Sequence, residues 1–561
     1  MLMKQLIALV PALPIISALL LLLFSGQAKQ RAARLSVTAT AIAFLMTTVT
    51  VGMIVTGHPS EHIGFTHGWG ILIGDPLSAI MGVLISGISL IVHVYSLRYM
   101  AEETGYIRFF ILLDLMTAAL LIMVAAGDLL TLLVCWHVIG VLLYFLLGHD
   151  TSRQSTFRYA FWTFITYRIG DVALVVAAAI LFHAYGTWSL AEIFAGIQDD
   201  PQVIGLFGMP APVAAAVFLS LAAFARSAQF LLHNWLPYTM DGPTPVSALM
   251  HAGIVNAGGF LINRFAPVFV HAGDVLHALF IIGLITAVIG SVLMLAQNDI
   301  KKSLGYSTMG QMGFMVMECG VGAFSLAIFH LIAHGLFKGT LFLGSGGVIG
   351  EARRDDGIPK NDLYTFVVER RPARQRPPWL TMAAITLAVP VVVLFLAHWV
   401  VSQDFFQRQG AVILLFFGWI TGAQLIFATY RTHTERTARL FTLVLSSFTV
   451  IVIGYTLISH VFELFLYPDP QFRELIHNAS DFNVVWFDVL IALTAIVIVL
   501  GWLVTYYSER NGGRARKRPG RIWLSFYTLV SREFYLADLY AWATRMVLRF
   551  AESLNVWLRW A

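Results

Sequence analysis

The stretch Phe224–Gly253, FARSAQFLLHNWLPYTMDGPTPVSALMHAG, decides the fold. It enters and leaves through apolar sequence, yet it carries Arg226, Pro237, Gly242, Pro243, Pro245 and His251. Prolines and glycine remove backbone hydrogen bonds, so a helix must break here beside a buried cation, as discontinuous helices do at transport sites. An ordinary re-entrant connection accounts for the prolines but not for Arg226 and His251.

The rest of the chain supplies the setting for such a break. Of 561 residues, 58% are hydrophobic and only 12% charged, and mean hydropathy is +0.77, whereas soluble domains carry about 25% charged residues. A soluble enzyme is excluded. Apolar runs of about 20 residues, long enough for a hydrocarbon core about 30 Å thick, recur along the sequence. They predict an all-α polytopic membrane protein with about 15 spans, near residues 6–24, 35–56, 74–97, 107–126, 129–148, 158–183, 212–235, 245–268, 274–297, 302–320, 323–349, 379–401, 411–430, 439–467 and 482–507. The first run contains Pro11 and Pro14, has no small-residue cleavage site and leads straight into another span, so it reads as a span rather than a signal peptide.

With the N-terminus outside, about 25 Lys and Arg fall in inner loops against about 3 on the other side, which fixes the orientation. The net charge of +5 is thereby explained by topology, and no nucleic-acid partner is implied. Cys135 and Cys319 lie in or beside apolar runs, far apart in sequence, and suggest neither a disulfide framework nor a thiolate metal site. After RNGGRARKRPGR (Arg510–Arg521), charges from Arg532 to Glu552 recur at helical spacing among Tyr, Trp and Leu. This tail predicts an amphipathic helix on a membrane or on a partner, or a sixteenth span.

An ionisable residue at the bilayer centre costs about 2.5 to 3.5 kcal/mol even on the lenient insertion scale, so each one needs a partner or a task. Those here include Asp114, His137, Arg168, Asp171, Arg226, His251, Arg264, His330, His334, Lys338, His460 and Glu463. The densest group is HLIAHGLFK, where His330, His334 and Lys338 stand at i, i+4 and i+8 on one helix face. Three titratable groups in a row form a proton ladder, and histidine, with an ordinary pKa of about 6.5, exchanges protons at neutral pH. A purely structural role, satisfying buried carbonyls, suits one histidine better than three groups on one face. A zinc site built on His330 and His334 needs a third ligand that the sequence does not supply nearby. Arg168 and Asp171 in YRIGD are three apart and can pair on one face, either as a structural ion pair or as part of a pathway.

Residues 90–350 resemble the proton-translocating, antiporter-like membrane subunits of respiratory complex I and of multisubunit sodium/proton antiporters, most closely the large terminal subunit. The resemblance rests on HVYSLRYM (His93–Met100), GYIRFF (Gly105–Phe110), YRIGD (Tyr167–Asp171), the stretch from Arg226 to Gly253, DIKKSLGYSTMGQMGFM (Asp299–Met315) and HLIAHGLFKGTLFLGSG (His330–Gly346). It implies an antiporter-like core over 107–349, preceded by N-terminal helices over 1–106. A basic loop follows over 350–378, then C-terminal helices over 379–507 and the basic tail with its amphipathic helix over 508–561. In such proteins a glutamate on the fifth helix, following a tryptophan, works with a lysine before the SAQ segment, and histidines and a lysine carry the proton onward.

His251, His330, His334 and Lys338 match that pattern, but Trp136 is followed by His137, and Arg226 stands where the lysine would be. Arginine, with a pKa above about 12, does not exchange its proton, so the relay cannot run unchanged through Arg226. The expectation is that Asp114 replaces the missing carboxylate near His137 and Arg226. The family's terminal lysine also has no counterpart between Trp379 and Val401, and the chain is too short after its last span for the long lateral helix.

This combination is similar to the membrane subunits of DAB inorganic-carbon accumulation systems. That resemblance implies a bacterial inner-membrane protein, N-terminus periplasmic, surrounded by lipid and conducting protons or sodium ions. It would have no cofactor and no catalytic chemistry of its own. The implied partner is a large cytoplasmic zinc protein resembling a β-type carbonic anhydrase, which cation flow would drive to hydrate carbon dioxide in one direction. About seven basic residues in the loop Glu351–Pro378, interleaved with Asp355, Asp356, Asp362 and Glu369, suit a charged interface, and Arg370, Arg371 and Arg374 are the expected docking residues. The rivals are a proton-pumping subunit of a complex I or hydrogenase-type redox complex, a sodium/proton antiporter subunit, and a structural anchor with a dead pathway.

Overall fold

In hydrocarbon a backbone finds no partners but its own, so apolar runs of spanning length become helices. A computed structural model describes residues 2–23, 29–64, 70–150, 154–239, 242–297, 299–354, 446, 457–458, 460–481 and 521–559. The first helices are α1 (Leu2–Leu21) and α2 (Lys29–Val55), followed by the strands β1 (Glu61–Ile63) and β2 (Leu72–Gly74). Then come α3 (Pro76–Tyr99), α4 (Tyr106–Ala125), α5 (Leu129–Leu147), α6 (Gln154–Tyr185), α7 (Leu190–Asp199) and α8 (Ala211–Arg226). Short pieces follow, α9 (Trp235–Tyr238), α10 (Thr244–Ala252), α11 (Ala257–Arg264) and α12 (Ala266–Phe269), before the long α13 (Gly273–Ala296), α14 (Ile300–Gly320) and α15 (Phe324–Arg354). Among the described residues, nine helical stretches are long and apolar enough to cross a membrane, counting Thr244–Arg264 as one.

The expected spans near 379–401, 411–430, 439–467 and 482–507 fall wholly or mostly outside the described residues. The helical reading gains one amendment: β1 and β2 pair antiparallel, with Glu61 opposite Gly74.

Helix starts follow local chemistry. Asp75 caps α3 in a reciprocal capping box with Ser78, with proline in the first turn. Arg264 donates to both oxygens of that same carboxylate and to the Val124 carbonyl at 2.9 Å, tying α11 to the starts of α3 and the end of α4. Helices α13 and α14 meet backbone to backbone. A methyl group added at Gly283 would lie 2.5 Å from the Met317 nitrogen, and one at Gly313 would lie 2.5 Å from the Ala287 nitrogen. Small residues are what allow helices to approach this closely in a membrane.

The predicted break is present, but it begins before the prolines. Helix α8 ends at Arg226, and the chain turns through Ala228 (φ 48°) and Leu231 (φ 75°), both left-handed. Pro245 sits in the first turn of α10, where a missing N–H is an orphan anyway, so it starts a helix instead of ending one. The unwound segment is held by side chains: Ser227 donates to the Val255 carbonyl at 2.7 Å, and the Phe230 amide donates to Thr286 at 3.0 Å. A second interruption follows at Gly253, where α10 gives way to a 3-10 turn, Ile254–Asn256.

By contact clustering the chain forms two compact units. One comprises Met1–Gly320, Ala327–Gly346 and Ser525–Ala561, the other Val321–Leu326 and Gly347–Leu524. In the second, α16 (Pro470–Ala479) is capped by Asp469, and His477 lies 3.8 Å from Glu463. The tail forms α17 (Arg521–Ser531) and α18 (Leu536–Leu558), joined by the left-handed residues Glu533, Phe534 and Tyr535. Helix α18 is amphipathic as expected, with Leu539, Trp542, Met546, Phe550 and Trp557 exposed. Its first turn is anchored, the Tyr540 hydroxyl donating to the Leu231 carbonyl at 3.0 Å.

Candidate functional site

Among the described residues of the first unit, the ionisable side chains singled out in the sequence, Arg264 aside, fall into three groups, mostly buried, with His137 more than half exposed. The first joins α5, α6 and α8. Asp171 Oδ2 is 2.8 Å from His137 Nδ1 and 3.0 Å from the Arg168 guanidinium, so the predicted i, i+3 pair forms. Arg226 approaches Asp171 Oδ1 at 3.7 Å from the other side. Only 1% exposed, Arg226 lies 4.0 Å over the Tyr167 ring and 4.7 Å over that of Trp136, and it donates to the Trp136 carbonyl. Arg168 also contacts the His137 ring and sits 4.5 Å over Phe164. Glycines admit this crowding: a Cβ at Gly140 would meet the Arg168 guanidinium, and one at Gly170 would press on Ala225 and the Ala222 carbonyl.

The second group corrects the expectation for Asp114. Fully buried on α4, it accepts from Ser17 on α1 at 2.8 Å, from Ser36 on α2 at 2.7 Å and lies 3.0 Å from His93 Nε2 on α3. His93 Nδ1 lies 2.7 Å from the Ser89 carbonyl and 3.3 Å from the Ser89 hydroxyl, so both ring nitrogens meet oxygen. These partners place Asp114 in the packing of the first four helices; the carboxylate beside His137 and Arg226 is Asp171.

The third group is the row on α15, where His330, His334 and Lys338 share a face. His330 Nδ1 lies 3.0 Å from Glu318 and its Nε2 2.8 Å from Gln311, both on α14. Lys338, 1% exposed, donates to the Leu304 carbonyl at 3.4 Å. His251 on α10 stacks on Phe342 with ring centroids 4.2 Å apart, and its Nδ1 is 3.1 Å from Thr308 Oγ1. Because the Thr308 hydroxyl itself donates to Leu304, the ring proton belongs on Nδ1 of His251 and leaves Nε2 as an acceptor. That nitrogen and both ring nitrogens of His334 have no protein partner among the described residues. His334 lies within electrostatic reach of His330, Lys338 and His251 alike.

The structure therefore brings His251, His330, His334 and Lys338 together and groups His137, Arg168, Asp171 and Arg226 separately. Arg370, Arg371 and Arg374 lie outside the described residues. Glu318 and His93 were missed, although each is an ionisable residue in an apolar run and the cost of burying charge would have flagged both.

A bundle of long apolar helices interrupted beside buried charge defines an antiporter-like membrane protein. The sequence matches the family described as NADH:quinone oxidoreductase/Mrp antiporter, TM, over residues 126–423, and the N-terminal family of complex I chain 5 over residues 62–110. The chain belongs to this antiporter family. It is 56% identical over 557 residues to a probable inorganic carbon transporter subunit DabB1 from Halothiobacillus neapolitanus, covering 98% of this chain and 99% of that relative. It is 39% identical over 279 residues to the chloroplastic NAD(P)H-quinone oxidoreductase subunit 5 of Mutisia acuminata, which spans 49% of this chain and only 37% of the relative. Among solved structures, the Mrp complex from Dietzia sp. DQ12-45-1b shares the fold with a TM-score of 0.59 at 23% identity, over 99% of this chain and 61% of that one.

Proposed function

We propose that this chain is the ion-conducting membrane subunit of an energy-coupled inorganic-carbon accumulation complex in a bacterial inner membrane, with its N-terminus periplasmic. The observation that carries the proposal is the row on α15, with His251 beside it and ring nitrogens that have no protein partner among the described residues. Uncompensated polar nitrogens at membrane depth are costly, and a proton or water file gives them a use. The full-length likeness to a carbon-transporter subunit supports this reading over the redox-complex one, since the quinone-oxidoreductase relatives are matched over less than half their length.

In this reading Glu318 and His330 exchange charge at one end of the row, His334 and His251 relay, and Lys338 donates and accepts at the other. His137, Arg168, Asp171 and Arg226 set the field along the pathway. Arg226 acts as a fixed positive charge, and Asp171 takes the place of the carboxylate the family carries on helix five. Carbon chemistry belongs to a separate cytoplasmic, zinc-containing, carbonic-anhydrase-like protein docked at Arg370, Arg371 and Arg374, and cation flow, of protons or sodium, drives it in one direction.

Purification in mild detergent tests the assignment. A large zinc-containing protein should accompany the chain, whereas flavin or iron-sulfur subunits would favour a redox complex instead.

A further inference from the structure

The C-terminal tail reaches into the core at a point the sequence does not announce. Glu533 is 3% exposed, forms an ion pair with Lys302 at the start of α14 and accepts from the Tyr238 hydroxyl at 2.7 Å. The fully buried Tyr306 hydroxyl is within electrostatic reach of the same carboxylate and makes no hydrogen bond among the described residues. Lys302 also sits 4.3 Å over the Tyr238 ring. To deliver this side chain the backbone takes three consecutive left-handed residues, Glu533, Phe534 and Tyr535, each a conformation costing about 1 to 3 kcal/mol outside glycine.

Anchoring alone does not explain a charge here. A buried ion pair is commonly no more stabilising than apolar side chains of similar volume, and the tail has apolar anchors in Phe534 against Phe230 and Tyr540 against Trp162. Inward from Tyr306 lies His233, with ring centroids 6.2 Å apart. His233 is fully buried in the unwound segment after α8, and both its ring nitrogens lack a protein partner among the described residues. Tyr306 is also two residues from Leu304, whose carbonyl holds Lys338.

We propose that Glu533 is a proton-exchanging residue of the ion pathway, carried by the tail into the end of the core that bears Lys301 and Lys302. A proton taken up by the carboxylate releases Lys302. As the carboxyl gives its proton to Tyr306, that hydroxyl passes its own to His233, so Tyr306 stays neutral while Glu533 returns to the carboxylate and His233 holds the positive charge until its other ring nitrogen releases a proton onward. The inference rests on the ion-conducting reading above, with Glu533 supplying the aqueous connection that the α15 row needs.

The test uses the full chain with its co-purifying subunits in liposomes, an enclosed pH-sensitive dye and an imposed gradient, comparing wild type with Glu533→Gln, Glu533→Asp and Lys338→Ala. Glutamine keeps the shape and can accept from Lys302 but cannot exchange a proton, so flux is compared per molecule at matched protein levels, which separates a lost anchor from a lost proton carrier. We expect Glu533→Gln to lower flux about 10²-fold or more, the scale for losing a positioned proton-transfer group, and Glu533→Asp to recover part of it. Wild-type flux in Glu533→Gln alongside a block in Lys338→Ala overturns this inference and leaves the wider reading standing. Wild-type flux in both variants overturns both. Should Glu533→Gln fail to accumulate, the paired change Glu533→Leu with Lys302→Met removes both charges together: a folded, non-conducting protein supports the inference and a folded, conducting one refutes it.

Discussion

Asp171 stands 3.7 Å from Arg226 across the interface of α6 and α8, while its second oxygen holds His137 and Arg168. One carboxylate thus balances two arginines, one of them buried against Tyr167 and Trp136.

Removing that carboxylate is expected to be costly. Losing one partner of a buried pair destabilises by about 3 to 5 kcal/mol, and the partial exposure of Asp171 lowers that figure. Asp171→Asn should lower the thermal midpoint of the detergent-solubilised protein, and adding Arg226→Met should restore part of the loss because the stranded charge is gone. Equal midpoints for wild type and Asp171→Asn would show that the pair holds nothing together.

Asp114→Asn should act differently. An amide cannot accept from Ser17, Ser36 and His93 at once through two oxygens, so the packing of α1 to α4 loosens. The expected result is less folded protein in the membrane, with near-normal ion flux per remaining molecule. Full accumulation with abolished flux would return Asp114 to the pathway.

What the sequence discloses and what it hides divide along one physical line. Spans are legible because a run of apolar residues is a local property, and the ladder on α15 is legible because i, i+4 and i+8 fall on one face. Pairings such as Asp114 with His93, Glu318 with His330 or Glu533 with Lys302 depend on which helices pack together, so Asp114 was expected beside Arg226 when Asp171 occupies that place. The break was announced by Pro237 and Pro243, yet its position at Ser227–Asn234 is set by the Ser227 and Thr286 hydrogen bonds from distant helices.

Charge reversal at Arg370, Arg371 and Arg374 should weaken association with the soluble partner while leaving membrane insertion intact, since charge complementarity at a docking surface governs encounter and register. Co-purification measured at low and high salt is the check. An unchanged yield of partner with the reversed loop would place docking elsewhere on the chain.

The central claim, that ions pass along the buried row on α15, is tested most directly by inorganic-carbon accumulation in cells that depend on this system, comparing wild type with Lys338→Ala at matched membrane levels. Lys338 donates only to the Leu304 carbonyl among the hydrogen bonds described, so its removal should spare the fold. The account predicts normal amounts of Lys338→Ala protein with accumulation lost; normal accumulation by that variant would contradict it.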